Sequence, residues 1–258
     1  MTLPFVTVRA VLFDYGGTLV REREPWKEAK PRAVYSAYEV LRRAGLKLAF
    51  EEYIEVNDTA FKKTTMLELK ESRDIPDVIT YKDIVDSLFQ SQTEAWRRKA
   101  AIQAEVAFWA TATKNFALRR GARPMLKRLK VMKLRMAVLS NHRYPMAEVE
   151  HLNRLRIAPY FSRIMISAQV GLRKPDPRFF RKCLSSVRVS PDEAVFVGDS
   201  PAYDVQGAKR AGMHSILFAG DGSSGWNESA DIEPDFIVHD LAEVPNVVSS
   251  LSGELNHH

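Results

Sequence analysis

Val8-Arg9-Ala10-Val11-Leu12-Phe13-Asp14-Tyr15-Gly16-Gly17-Thr18 is the stretch from which the fold can be read. Apart from Arg9, residues 8–13 are apolar, rich in branched side chains and too few for a helix. They stop at a pair of glycines, which predicts a buried strand running into a tight loop. Asp14 closes that strand, and an acid at the end of a buried apolar run needs a compensating partner. Working outward, five further strand-like runs, at 135–139, 163–166, 194–197, 215–218 and 236–238, alternate with amphipathic stretches near 124–130, 145–155, 177–186, 202–211 and 241–251. Alternating β and α implies a parallel sheet covered by helices, hence a doubly wound α/β domain.

Between the first strand and this block the texture changes. From about residue 25 to about 118, apolar residues recur at helical spacing, as in Val34, Tyr35, Tyr38 and Leu41 or Phe61, Met66 and Leu69. An all-helical insertion of several helices is expected, with breaks at Gly45, around Ile75-Pro76-Asp77 and near Thr111 to Thr113. The division is then a core of 1–20 with 118–258, and a helical insertion of 21–117. Trp96, Phe108 and Trp109 are read as core of that insertion. A loop is expected at 221–230, and His257-His258 is read as the remnant of a tag.

Composition narrows the class. With 258 residues, 45% apolar and 27% charged, the chain is of ordinary globular make-up, and its 12 Gly and 13 Pro show no fibrous or low-complexity bias. No apolar run approaches the roughly 18 to 20 residues of a membrane span. The first eight residues lack a secretory signal pattern and Cys183 is the single cysteine, so a cytoplasmic location is expected. The net charge of +6 suits an anionic partner. A small phosphorylated molecule is expected, with no nucleic acid and no membrane.

In an open parallel sheet, ligands bind beyond the carboxyl ends of the strands. Those positions hold Asp14, then Ser140-Asn141, then Lys174-Pro175-Asp176-Pro177, then Gly198-Asp199-Ser200 with Asp204 on the following helix. Each has an ordinary explanation. Asp199 and Ser200 before Pro201 suit a helix cap, Asp204 a first-turn acid, Lys174 a surface lysine, and Gly16-Gly17 a plain turn. Taken together, three carboxylates at one sheet edge repel one another, so the arrangement calls for a cation, and all-oxygen ligands favour Mg²⁺.

These motifs, in this order, resemble the haloacid dehalogenase superfamily, in the branch whose helical cap is inserted after the first strand. The resemblance implies a Rossmann-like α/β core, a cap that closes over the site, and Mg²⁺-dependent phosphatase chemistry through an aspartyl-phosphate. On that basis Asp14 is the nucleophile and Lys174 the charge-neutralising catalytic lysine. Asp14, Asp199, Asp204 and the main chain of Gly16 would hold Mg²⁺. Tyr15, Gly17, Thr18, Ser140, Asn141 and Lys174 would bind the phosphoryl group. One position departs from the pattern: phosphatases of the family carry a second Asp two residues after the nucleophile, as general acid and base, and here that residue is Gly16. Removing such a group typically costs about 10²- to 10⁴-fold in rate. Gly16 keeps three alternatives open. One is carbon–halogen hydrolysis, another a phosphonatase-like reaction with Lys62 or Lys63 as candidate, and the third an interaction module without catalysis. His142 and Arg143 are read as solvated loop residues. Arg21, Arg23, Trp26, Lys27 and Lys30 are candidates for an anionic substrate tail that read more simply as a helix face in water.

Overall fold

The computed structural model describes residues 7–220 and 233–253; the loop expected at 221–230 and the terminal histidines lie outside the described residues. Eight strands occur among them: β1 Ala10–Phe13, β2 Val20–Glu22, β3 Phe116–Leu118, β4 Arg135–Ser140, β5 Arg163–Ile166, β6 Ala194–Gly198, β7 His214–Phe218 and β8 Phe236–Val238. The helices are α1 Trp26–Arg43, α2 Phe50–Glu71, α3 Asp77–Leu88, α4 Glu94–Ala112, α5 Ala122–Val131, α6 Pro145–Arg154, α7 Ser167–Val170, α8 Pro177–Val187, α9 Gln206–Ala211 and α10 Val244–Leu251.

Six strands form one sheet in the order β5-β4-β1-β6-β7-β8, and all five neighbouring pairs are parallel. The chain steps outward from β1 through β4 to β5, then returns to β6 on the other side of β1 and steps outward again. The reversal leaves the carboxyl ends of β4, β1 and β6 side by side, where a doubly wound sheet opens its ligand crevice. Register keeps these ends level, with Phe13 opposite both Val138 and Val197.

Why these residues form this sheet follows from their alternation. Ala10 and Leu12, Ala137 and Leu139, and Ala194 and Phe196 fall two apart and share one apolar cluster. Against it α8 presents Phe179, Phe180, Cys183, Leu184 and Val187, all buried, at helical spacing. Each fully buried phenylalanine contributes about 1.5–3 kcal/mol of apolar transfer. Asp176 caps α8, accepting from the Arg178 N–H at 2.8 Å, with Pro177 at the first helical position.

The chain divides into two compact units. One comprises residues up to Arg21, Leu118–Asn141 and Leu152 onward; the other comprises Glu22–Ala117 with His142–His151. The second unit is helical. Its centre pairs α1, through Ala33, Val34, Ala37, Tyr38 and Leu41, with α4, whose Ala100, Ala101 and Ala104 let the two backbones approach, and Tyr81, Ile84 and Val85 of α3 close the cluster. Segment 142–151 belongs with this unit because Arg143 pairs with Glu68, donates to Thr65 Oγ1 at 2.9 Å, and accepts the Asp77 N–H at 3.3 Å. Nothing in the sequence of that segment signals the grouping. The three-residue strands β2 and β3, and the break at 89–93 between α3 and α4, also escape the periodicity, since they are too short to show a period.

Candidate active site

Asp14 leaves β1 with its N–H donating to Val197 O at 2.9 Å, so the central strand pairing itself fixes its backbone. Lys174 Nζ donates to Asp14 Oδ1 at 2.5 Å and to Asp204 Oδ1 at 2.7 Å. One carboxylate oxygen each from Asp14, Asp199 and Asp204 lies within 4.8 Å of the other two. Asp14 is 6% exposed, Lys174 3%, Asp199 8% and Asp204 1%, so the set is shielded from water. Residues separated by up to 190 positions are thus gathered at one sheet edge.

Each carboxylate is aimed by its local backbone. Asp204 sits in a wide helical turn over Pro201–Val205, where Val205 N–H reaches Ser200 O at 3.2 Å, five residues back. Such widened turns recur at functional sites. Ser200 caps this turn, accepting from Tyr203 N–H at 3.1 Å, and its own N–H donates to Asp204 Oδ2 at 3.0 Å. Thr18, fully buried, donates its hydroxyl to Asp199 Oδ1 at 3.3 Å. Two glycines are required by close approach: a Cβ on Gly17, whose φ is +84°, would overlap the Asp199 carboxylate, and one on Gly198 would overlap that of Asp204. Gly16 differs, with open space where its Cβ would stand and no left-handed φ.

The remaining predicted residues take distinct places. Asn141 donates to Lys174 O at 3.1 Å and accepts from Lys174 N–H at 2.8 Å, so it anchors the main chain of the lysine. Ser140 is buried at the end of β4. The loop after Asp14 closes on itself: Gly17 N–H donates to Val20 O at 2.9 Å, while the Tyr15 amide supports the Asp14 carboxylate. Two of the loop amides are therefore already engaged. His142 and Arg143 lie in the helical unit rather than loose in solvent. The Trp109 ring packs on His142 at 4.5 Å between centroids, His142 Nδ1 accepts the Tyr144 N–H at 3.0 Å, and burial pulls the ring down to about 4. Arg119 is a residue that the sequence reading missed. It is 7% exposed, donates to Gly17 O at 2.7 Å, and lies over the Phe218 ring at 4.8 Å. Its neighbour Arg120 is exposed, and nothing in the pair Arg119-Arg120 distinguishes the buried one.

Three carboxylates face one ammonium, a formal excess of two negative charges. Burial pushes Asp199 above the usual carboxylate range, with the charges of Asp14 and Asp204 adding to it. Burial raises Asp14 too, against the pull of the Lys174 ammonium. For Lys174, burial works downward but the two carboxylates outweigh it and hold the amine above its ordinary value. This is the electrostatic signature of a site short of positive charge. The donor set, three carboxylates converging on one point, fits a hard divalent cation.

The family model described as haloacid dehalogenase-like hydrolase matches residues 8–212. The chain is 40% identical over 112 residues to the phosphoserine phosphatase of Thermus thermophilus, a stretch covering 43% of each chain. To the glyceraldehyde 3-phosphate phosphatase of Pyrococcus furiosus it is 31% identical over 137 residues, 52% of this chain and 55% of that one. The chain thus spans about half the length of these curated relatives. Among solved structures, the 2-haloacid dehalogenase from Pseudomonas syringae superposes with a TM-score of 0.68 at 23% identity, over 94% of this chain and 99% of that one, a likeness of fold. With four strand-end motifs in order on a six-stranded parallel sheet, and a family match across most of its length, the chain belongs to the haloacid dehalogenase-like hydrolases.

Proposed function

We propose that this hydrolase is a Mg²⁺-dependent phosphatase of a small phosphorylated molecule, acting through an aspartyl-phosphate on Asp14. The observation that carries the reading is the excess of carboxylate at the site: Asp14, Asp199 and Asp204 face the single ammonium of Lys174. Without a cation that excess repels any anionic substrate, whereas with one the same carboxylates become its ligands. Asp14, Asp199, Asp204 and the main chain of Gly16 would hold the ion, which supplies charge neutralisation at the phosphoryl oxygens. The named relatives, a phosphoserine phosphatase and a glyceraldehyde 3-phosphate phosphatase, support the reaction type.

The chain's own residues account for the steps. An oxygen of the Asp14 carboxylate attacks phosphorus, the bond from phosphorus to the ester oxygen breaks, and the leaving alkoxide takes a proton from water. Lys174 neutralises charge on the phosphoryl oxygens as it develops, its reach fixed through Asn141. Thr18, Ser140 and the loop main chain border the phosphoryl group. Water then attacks the phosphorus of the aspartyl-phosphate, inorganic phosphate leaves, and the Asp14 carboxylate is restored. Because Gly16 brings no side chain to either proton transfer, good leaving groups are preferred and hydrolysis of the intermediate is slow. The helical unit acts as the cap, and the protein works in the cytoplasm. Carbon–halogen hydrolysis accounts for Gly16, yet leaves Asp199 and Asp204 as uncompensated repulsion toward a haloacid.

Release of phosphate from p-nitrophenyl phosphate tests the proposal. Turnover with Mg²⁺ that EDTA and Asp14→Asn each abolish is the expected result. Chloride release from a 2-haloacid without added metal, and no phosphate release with it, would overturn the proposal.

A further inference from the structure

We propose that the helical unit carries a second anion site, separate from the Asp14 cluster, for a small dianion bearing carboxylate or phosphate groups. A cavity of about 300 Å³ is lined by Arg23, Glu24, Ala29, Arg32, Thr111, Lys114 and Asn115, all within the segment Glu22–Ala117. That volume is at the small end of ligand pockets and suits a molecule below the size of a nucleotide. Three cations and one carboxylate face it. Glu24 is neutralised by Arg32, whose guanidinium also donates to Glu28 O at 3.2 Å. Among the described residues, the exposed side chains of Arg23 and Lys114 have no ion pair or hydrogen bond, so two of the cations that line the cavity are uncompensated.

These two cations are held together by a buried backbone clamp. Arg23 N–H donates to Asn115 O at 2.7 Å, Glu24 N–H to Asn115 Oδ1 at 3.3 Å, and Asn115 Nδ2 to Glu24 O at 3.0 Å. Asn115 is 5% exposed, so the clamp is shielded and the start and end of the helical unit are locked side by side. Arg23 follows β2 directly and donates into the clamp, and Lys114 immediately precedes Asn115. The clamp keeps the two backbones together, so two like charges stay beside one concavity and raise the local potential for an anion. Arg23 offers a planar fork suited to carboxylate or phosphate, while Lys114 offers a point charge.

Malonate is a suitable probe, since it is a dianion with no phosphoryl group to hydrolyse. Two-dimensional ¹⁵N–¹H spectra of the full chain, titrated with malonate, are expected to show saturable shifts at amides of 23–32 and 111–115. The dissociation constant should rise about tenfold in Arg23→Gln and in Lys114→Gln, each losing one charge-assisted contact. Lys47→Gln, at an exposed lysine elsewhere in the unit, should leave it unchanged. Shifts that grow without saturating, shifts confined to 14–18 and 140–141, or an affinity indifferent to both substitutions would overturn the proposal. The readout is binding, so it stands or falls independently of phosphatase activity.

Discussion

Gly16 stands where the family resemblance implies a second, proton-transferring Asp. A Cβ there meets nothing within 4 Å, and the backbone is not left-handed, so the glycine is not imposed by close approach. Gly16→Asp is therefore expected to fold normally and to restore proton transfer to the leaving oxygen. Turnover of an alkyl phosphate should rise by about 10²-fold or more, while p-nitrophenyl phosphate, whose leaving group needs no proton, gains much less. Steady-state kinetics on the two esters check this; equal gains, or none, would contradict it. Gly17, one position on, is the opposite case, since any Cβ collides with Asp199. The sequence shows two adjacent glycines and cannot tell the permissive one from the obligatory one, because the difference lies in a carboxylate 182 residues away.

Elements position these residues, and the strand ends were the legible part. A four-residue apolar run closing on Asp14, or Ala194–Gly198 closing on Asp199, is a local pattern with a local meaning. What the pattern does not carry is the support that arrives from elsewhere. Arg119 comes from the stretch after β3 and clamps the loop after β1, through its side chain to Gly17 O and its N–H to Leu19 O at 2.9 Å. Arg119→Met is expected to free that loop and lower kcat by about 10- to 100-fold, the scale for small misplacement of reacting groups. Arg119→Lys should recover part of the loss. Circular dichroism checks that the fold is kept, and the split between kcat and KM checks that the loss lies in chemistry. A variant with unchanged kcat would show that the loop holds without the clamp.

At the scale of the molecule, burial of acids sets the pH response. In the helical unit Asp77 is 1% exposed and its Oδ2 accepts from Trp109 Nε1 at 3.0 Å, while Glu105 is 3% exposed. Burial pushes Asp77 up to about 7, opposed by Arg143 and by the bond from Trp109. Burial with the nearby Asp77 charge pushes Glu105 up to about 8. Both values lie above those of an unfolded chain, so the stability is fully present below the ordinary carboxylate range and is lost progressively as pH rises from there to about 7 to 8. The melting temperature of the chain in EDTA is expected to fall as pH rises across that window, and to fall less in Asp77→Asn; a flat profile in both would contradict it. The overall α/β plan was readable because alternation of strands and helices is periodic, whereas the buried acids and the grouping of 142–151 with the helices depend on contacts across the chain.

Direct titration of the metal-free chain with Mg²⁺, followed by calorimetry, bears hardest on the meeting of Asp14, Asp199 and Asp204 around one ion. One ion bound per chain is predicted, with affinity weakened by about 10- to 100-fold or more in Asp199→Asn. Absence of saturable uptake at millimolar Mg²⁺, or an affinity that Asp199→Asn leaves untouched, would contradict it.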